Sequence, residues 1–328
     1  MSKRSNSGVG GAFSGFGIEV FSRDAMEAIH CASLEILWHE GIKTESKMAK
    51  EIYSAGGCVV DDKKDRVFIP PHVVEAAIDS APPTALYAAR EPENDIIMEG
   101  NRVNFCNFSK GVNVIDPYTR EYRMSRTRDQ VEATVICDYL DEIDLVDVPI
   151  ECHDLPDCIK NLATYELMMQ NTVKHCNTSI HNVEEAEKVI EMAEILAGGA
   201  DGLRSRPRVS TLVCPISPLC ISAECAEPII VFAQHRAPCT VLSMSMAGGT
   251  APVTLAGTII VHNCEVLAGI VLGQLTNKGT PNLYGSSTTM MDLSKGTAAV
   301  GSPELGMLSA AVSRMAKFYK LPCYVAGG

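Results

Sequence analysis

Aromatic residues make up only 5% of the 328-residue sequence, with a single tryptophan, and the 28 lysines and arginines fall well short of the 40 aspartates and glutamates. The resulting formal charge of −12 repels phosphate backbones and anionic headgroups, which argues against nucleic acid and membrane surfaces as partners. No long apolar run is free of polar side chains. The longest, Leu255 to Gly273, carries His262, Asn263 and Glu265 in its middle and reads as a buried helix rather than a lipid-spanning one. The Ser/Gly-rich start, Met1 to Gly17, lacks the apolar core of a secretory signal, so a cytoplasmic protein is expected.

Thirteen cysteines are present, but the number is odd and no CxxC pair occurs, which disfavours a disulfide framework or a zinc ribbon. Cys152-His153-Asp154 with Cys158 offers metal-binding donors at a spacing that matches none of the common ligand patterns, so no metal is expected. There is no GxSxG elbow, no HExxH pair and no Asp-x-His-x-x-Gly corrinoid motif. The GGAFSGFG run precedes any strand and reads as a flexible tail, not a dinucleotide fingerprint. No lysine is expected at a C-terminal strand end, because Lys174 and Lys278 precede strands; a Schiff-base aldolase would lack its nucleophile.

What is present is a globular composition, 46% hydrophobic and 21% charged. Residues 1–100 read as a helical lead-in with short β elements. Ser22 caps a helix that Gly41 ends, helices follow at Lys47 to Ala55 and His72 to Ser80, and Arg66 to Ile69 is a short strand. Residues 101–328 alternate short β-branched runs with amphipathic helical runs, the pattern of parallel strands joined by helical crossovers. Strands are expected at Val103 to Phe108, Asp144 to Ile150, Cys176 to His181, Val209 to Cys214, Thr240 to Met244, Asn282 to Ser286 and Pro322 to Ala326. A doubly wound sheet and a (β/α)8 TIM barrel both begin this way. The missing phosphate turn after the first strand favours the barrel, here incomplete at about seven strands.

Barrel active sites gather at the C-terminal strand ends. That rule selects Glu151, His181 and the run from Ser243 through Met246, Gly248 and Gly249, after which a helix is expected to begin at Ala251 with Pro252 in its first turn. The two glycines suit either a tight turn or a ligand held at a helix N-terminus. The rule also selects the polar loop from Tyr284 through Ser286 and Thr288 to Asp292. Ser302 is a candidate N-cap, with Pro303 first in the helix and Glu304 in its first turn, where Glu304 suits catalysis or capping alike.

The segments Leu242 to Met246, Ser286 to Thr289, Gly301-Ser302-Pro303-Glu304-Leu305-Gly306 and Leu321 to Gly327 closely resemble the trimethylamine methyltransferase family. The resemblance implies a (β/α)8 barrel that moves a methyl group from trimethylamine to the cobalt of a separate corrinoid protein, as in methylamine-dependent methanogenesis. The corrinoid would belong to that partner, with no cofactor bound by this chain itself. The resemblance also implies a pyrrolysine, read through an in-frame amber codon, that lies beyond Gly328 or next to it. The expectation is therefore an amino-terminal portion, inactive alone, of a longer enzyme that self-associates when complete. Glu304, Ser286 and Thr288 would orient or protonate the reacting amine, and Tyr284, Ser243, Met246, Gly248, Gly249, His181 and Glu151 would line its site. Two alternatives stay open: a pyrrolysine-independent glycine betaine corrinoid methyltransferase, in which the Gly248-Gly249 terminus holds the carboxylate, and a non-catalytic fragment that binds the corrinoid protein.

Overall fold

The computed structural model describes residues 18–327. Two sequence expectations lie outside the described residues: the GGAFSGFG tail, and Gly328, beside or beyond which the pyrrolysine is expected. The centre of the fold is a six-stranded, all-parallel sheet. In chain order the strands are β1 (Leu145–Val146), β2 (His175–Thr178), β3 (Val209–Val213), β4 (Cys239–Ser243), β5 (Asn282–Ser286) and β6 (Cys323–Val325), and they lie side by side in that order. The helices are α1 (Arg23–His39), α2 (Lys47–Ala55), α3 (Pro71–Ser80), α4 (Thr127–Tyr139), α5 (Asp157–Asn171), α6 (Val183–Ala197), α7 (Ala200–Ser205), α8 (Ala223–Gln234), α9 (Leu255–Thr276) and α10 (Pro303–Phe318). The sheet is curled. Tyr324 on β6 reaches the opposite edge, with its hydroxyl 2.9 Å from Cys106 Sγ and 3.4 Å from Asp147 Oδ2.

The strand expected at Val103 to Phe108 is reduced to one parallel bridge, Cys106 to Leu145. Side chains take over the ladder there. The Asp144 carboxylate accepts from Phe105 N at 2.7 Å, and the Asn107 amide both donates to Asp147 O and accepts from Asp147 N, each at 3.0 Å. Phe105 and Phe108 stand largely exposed, so no apolar face pulls this segment into a regular strand.

The helix starts follow their caps. Ser22 Oγ accepts from Ala25 N, and Gly41, at φ +68°, closes α1 with its N–H on Ile36 O. The helix expected from Ala251 begins instead at Leu255, because Thr254 is the residue whose hydroxyl accepts from Gly257 N; Pro252 stays outside. The 22-residue α9 is the one described helix long and apolar enough to cross a bilayer, yet 72% of its apolar window is buried inside the protein. It packs on the sheet and carries α1, α2, α3 and α8 against its other sides, so the lead-in shares one apolar core with the sheet. An antiparallel hairpin, Thr84–Tyr87 with Ile96–Glu99, packs Tyr87, Ile96 and Met98 against Leu145 and Leu283 inside the curl.

Close packing of α9 on β4 depends on Gly269, where an added Cβ would stand 2.7 Å from Val241 Cγ1. Gly269→Ala is expected to cost about 1–3 kcal/mol, the range for overpacking a core, offset only slightly by helix propensity. A fall in thermal midpoint against wild type checks it, and an unchanged midpoint would mean that the helix can slide off the sheet freely.

Candidate active site

Strand alternation divides the polar residues into those facing the inside of the curl and those facing the helices. Inside, His175 on β2 stacks on Tyr87 at 4.4 Å, and its ring nitrogens pair with Ala88 O at 3.0 Å and Ser210 Oγ at 2.9 Å. Ser210 Oγ donates to Asn177 Oδ1 at 2.7 Å, and Asn177 Nδ2 donates to Asp147 Oδ2 at 3.1 Å. Val148 N donates to Asp147 Oδ1 at 2.8 Å, and the Tyr324 hydroxyl closes the chain of contacts on Oδ2. Asp147 is 2% exposed, and burial pushes its carboxyl up to about 6. Burial likewise pushes the fully buried His175 down to about 4, so it is neutral at neutral pH.

On the helix side, one turn of α9 supplies both Glu265 and His262. Glu265 is fully buried and accepts from Ser243 Oγ (2.6 Å), Ser217 Oγ (2.8 Å), Leu219 N (3.0 Å) and Ser245 Oγ (3.4 Å). Desolvation raises its carboxyl and the serine donors oppose that rise. This one carboxylate fastens the loop after β3 to the segment after β4. His262 Nδ1 pairs with Thr288 Oγ1 at 3.1 Å, while its Nε2 is buried without a partner and desolvation holds the ring down to about 3. Thr288 Oγ1 also donates to Ser243 O, which ties the loop after β5 to β4.

Of the residues expected at the site, Ser243, Ser286 and Thr288 come together. Ser286 Oγ accepts from Thr288 N at 3.0 Å, and all three are buried at the strand ends. Glu151 lies apart, beside β1 and β2, in a cleft with Lys110, Lys160, Asn161 and Tyr165; Lys160 Nζ sits 3.5 Å from its carboxylate. Lys110 corrects the expectation that no lysine stands past a strand end, since it follows shortly after the Cys106 bridge. His181 is exposed, with its backbone N–H on Glu185.

Two expectations change. Tyr284 is fully buried toward the helices, not at the mouth: its hydroxyl donates to Asn263 Oδ1 at 2.6 Å and its ring packs edge-on against His262. Gly248 and Gly249 are not at a helix N-terminus; their N–H groups are spent inside the turn, on Ala251 O and Met246 O, so neither is free for an anion. Met246 is the hub of that turn, accepting on its carbonyl from Gly249, Thr250 and Ala251. Glu304 does sit in the first turn of α10, after the Ser302 cap on Leu305 N, but its side chain makes no hydrogen bond or ion pair among the described residues. Cys152, His153, Asp154 and Cys158 do not converge either, and no three metal-binding side chains cluster among the described residues.

Sequence reasoning missed Asp147, Asn177, Ser210 and Tyr324, although all four lie within strands it identified. Polar residues at alternate positions of otherwise apolar parallel strands were the available signal. The missed Glu265 and His262 carried a clearer one, as ionisable residues inside the most apolar helix.

The model of the trimethylamine methyltransferase (MTTB) family matches residues 15–328. The chain belongs to the trimethylamine methyltransferase family. It is 48% identical over 314 residues to the trimethylamine methyltransferase MttB of Desulfitobacterium hafniense (strain DSM 10664 / DCB-2), covering 96% of this chain and 63% of that protein. With MttB of Methanosarcina barkeri (strain Fusaro / DSM 804) the identity is 38% over 321 residues, 96% of this chain and 65% of that one. A glycine betaine methyltransferase of Desulfitobacterium hafniense (strain Y51) is 31% identical over 319 residues, 94% and 64% of the two chains. The chain thus spans just under two thirds of the length of these relatives. Among solved structures, the monomethylamine methyltransferase MtmB of Methanosarcina barkeri superposes with a TM-score of 0.51 at 12% identity, over 93% of this chain and 66% of that one, a likeness of fold.

Proposed function

We propose that this chain forms the substrate-holding part of an enzyme that moves a methyl group from trimethylamine to the cobalt of a separate corrinoid protein. The observation that carries the reading is the 48% identity, over 96% of the chain, to a protein named trimethylamine methyltransferase. The curled sheet is read as part of an eight-stranded barrel, and the reaction as taking place at its C-terminal mouth. Methyl transfer to a metal is a displacement that demands alignment of donor and acceptor more than acid or base, and the mouth is built accordingly. Its loops are held by Glu265 and His262 from behind, and its described hydroxyls, thiols and amides offer no electrophile for an amine lone pair. A pyrrolysine beside or beyond Gly328 in the complete protein would provide that electrophile. The corrinoid is the methyl acceptor brought by the partner, in the cytoplasm.

The betaine alternative loses its structural support, because the glycines meant to hold the carboxylate have their N–H groups engaged. The complete protein, given trimethylamine and its reduced corrinoid partner, is expected to convert cobalt(I) to methylcobalt(III), followed in the visible spectrum. Glycine betaine in the same assay should give no conversion. Transfer from betaine alone would replace this reading with the alternative, and partner binding without transfer from either amine would leave a scaffold.

A further inference from the structure

Among the described residues that face the inside of the curl, Asp147 is a buried carboxylate that is largely ionised at neutral pH. Every described donor to Asp147 is neutral, and no lysine, arginine or histidine nitrogen among the described residues lies within ion-pair distance of it. The other titratable side chains that face it from the neighbouring elements are Tyr87 of the hairpin, Cys106 of the bridged segment, Cys214 after β3 and Tyr324 of β6. Burial raises all four and keeps them uncharged. By contrast Asp129, a buried carboxylate in the first turn of α4, is paired to Arg123 at 2.7 Å. A desolvated carboxylate without a counter-charge is costly to keep, and such groups concentrate where a ligand brings the opposite charge.

Position agrees with that role. Asp147 directly follows β1 at its C-terminal end, and Met244, after β4 at the mouth above, is 38% exposed. Tyr324 is half-buried, with its hydroxyl on Asp147 and its side chain packed against the apolar cluster of the hairpin. A carboxylate next to an aromatic ring, among neutral groups, favours a bulky and weakly hydrated cation over a metal ion, which would require more oxygen ligands. We propose that Asp147, with the ring of Tyr324, anchors the positive nitrogen of a small methylated ammonium ion entering from the mouth, the charged form in which trimethylamine predominates at neutral pH, before its proton passes to solvent and frees the lone pair for reaction. The inference rests on the methyltransferase reading and names what that site recognises.

Tetramethylammonium is the probe, because its charge does not change with pH. The complete protein is expected to bind it by calorimetric titration, and Asp147→Asn to weaken binding about tenfold or more, the scale of a lost charge contact. Tyr324→Phe keeps the ring and should stay within about threefold. In wild type the affinity should fall as pH is lowered from about 7 to about 5, through the region of about 6 where Asp147 takes up a proton. His175 is already neutral there and the thiols and phenols are still protonated, so no neighbour shares that step. tert-Butanol, similar in shape and uncharged, should compete poorly. If Asp147→Asn does not fold, the pH step in wild type decides alone. Wild-type binding that is absent, flat across this pH range, or equalled by tert-butanol would overturn the proposal, as would an unaffected, folded Asp147→Asn. Methyl transfer from trimethylamine with Asp147-independent binding would sink this inference and leave the functional reading standing. Asp147-dependent binding without transfer would do the reverse.

Discussion

Glu265→Ala is expected to destabilise the protein by about 3 kcal/mol and to loosen the mouth. The carboxylate is the shared acceptor for Ser217, Ser243 and Leu219 N, so its removal orphans a partly buried backbone N–H and opens a cavity beneath two loops. Two effects limit the loss. The serines can bond to one another, since Ser245 Oγ already lies 3.2 Å from Ser217 Oγ and 3.1 Å from Ser243 Oγ, and the desolvation cost of the carboxylate disappears. Glu265→Gln keeps the volume and most acceptor contacts and should lose about 1 kcal/mol or less. Denaturant midpoints rank the variants, and hydrogen exchange at the Leu219 amide reports the loop. Equal midpoints for wild type and Glu265→Ala, with Leu219 still protected, would show that the loop after β3 is held by other contacts.

Tyr284→Ala should cost more, about 3–5 kcal/mol, the range for deleting a fully buried aromatic side chain. Its ring fills the space between β5 and the helices, near Tyr319 and His262. Its hydroxyl also belongs to a polar network that joins distant segments: Asn263 donates to Ser33 Oγ and to the Tyr319 hydroxyl, each at 2.9 Å, and Tyr319 meets His30 at 3.0 Å. Tyr284→Phe keeps the packing and leaves Asn263 Oδ1 without its donor, a loss of about 1–2 kcal/mol. Thermal denaturation separates the two variants. A Tyr284→Ala protein with wild-type stability but weakened amine use would return the residue to the mouth, where the strand-end rule places it.

That displacement shows what periodicity can and cannot say. Tyr284 is correctly set in a strand, but a strand in a parallel sheet is buried on both faces, so polarity does not reveal which face each side chain takes. The same ambiguity hides Asp147, Asn177 and Ser210, which read as ordinary strand residues until the curl turns them toward one another. Gly248 and Gly249 do mark a special turn, yet the turn closes on Met246 and the helix waits for Thr254. The Val103 to Phe108 run has strand-like residues, but Asn and Asp side chains capture its backbone groups.

Local chemistry alone decided the helix limits at Ser22, Asn182 and Ser302, the apolar burial of α9 despite its length, and the alternation of strands and helices. These depend on caps and on patterns that act within a few residues. The pairing of Asp147 with Tyr324, 177 positions apart, and the gathering of three serines around Glu265 depended on the curl of the sheet and on how α9 packs on it. Contacts at such separations are set by the assembled core, because no local propensity records which distant side chain will fill the same space.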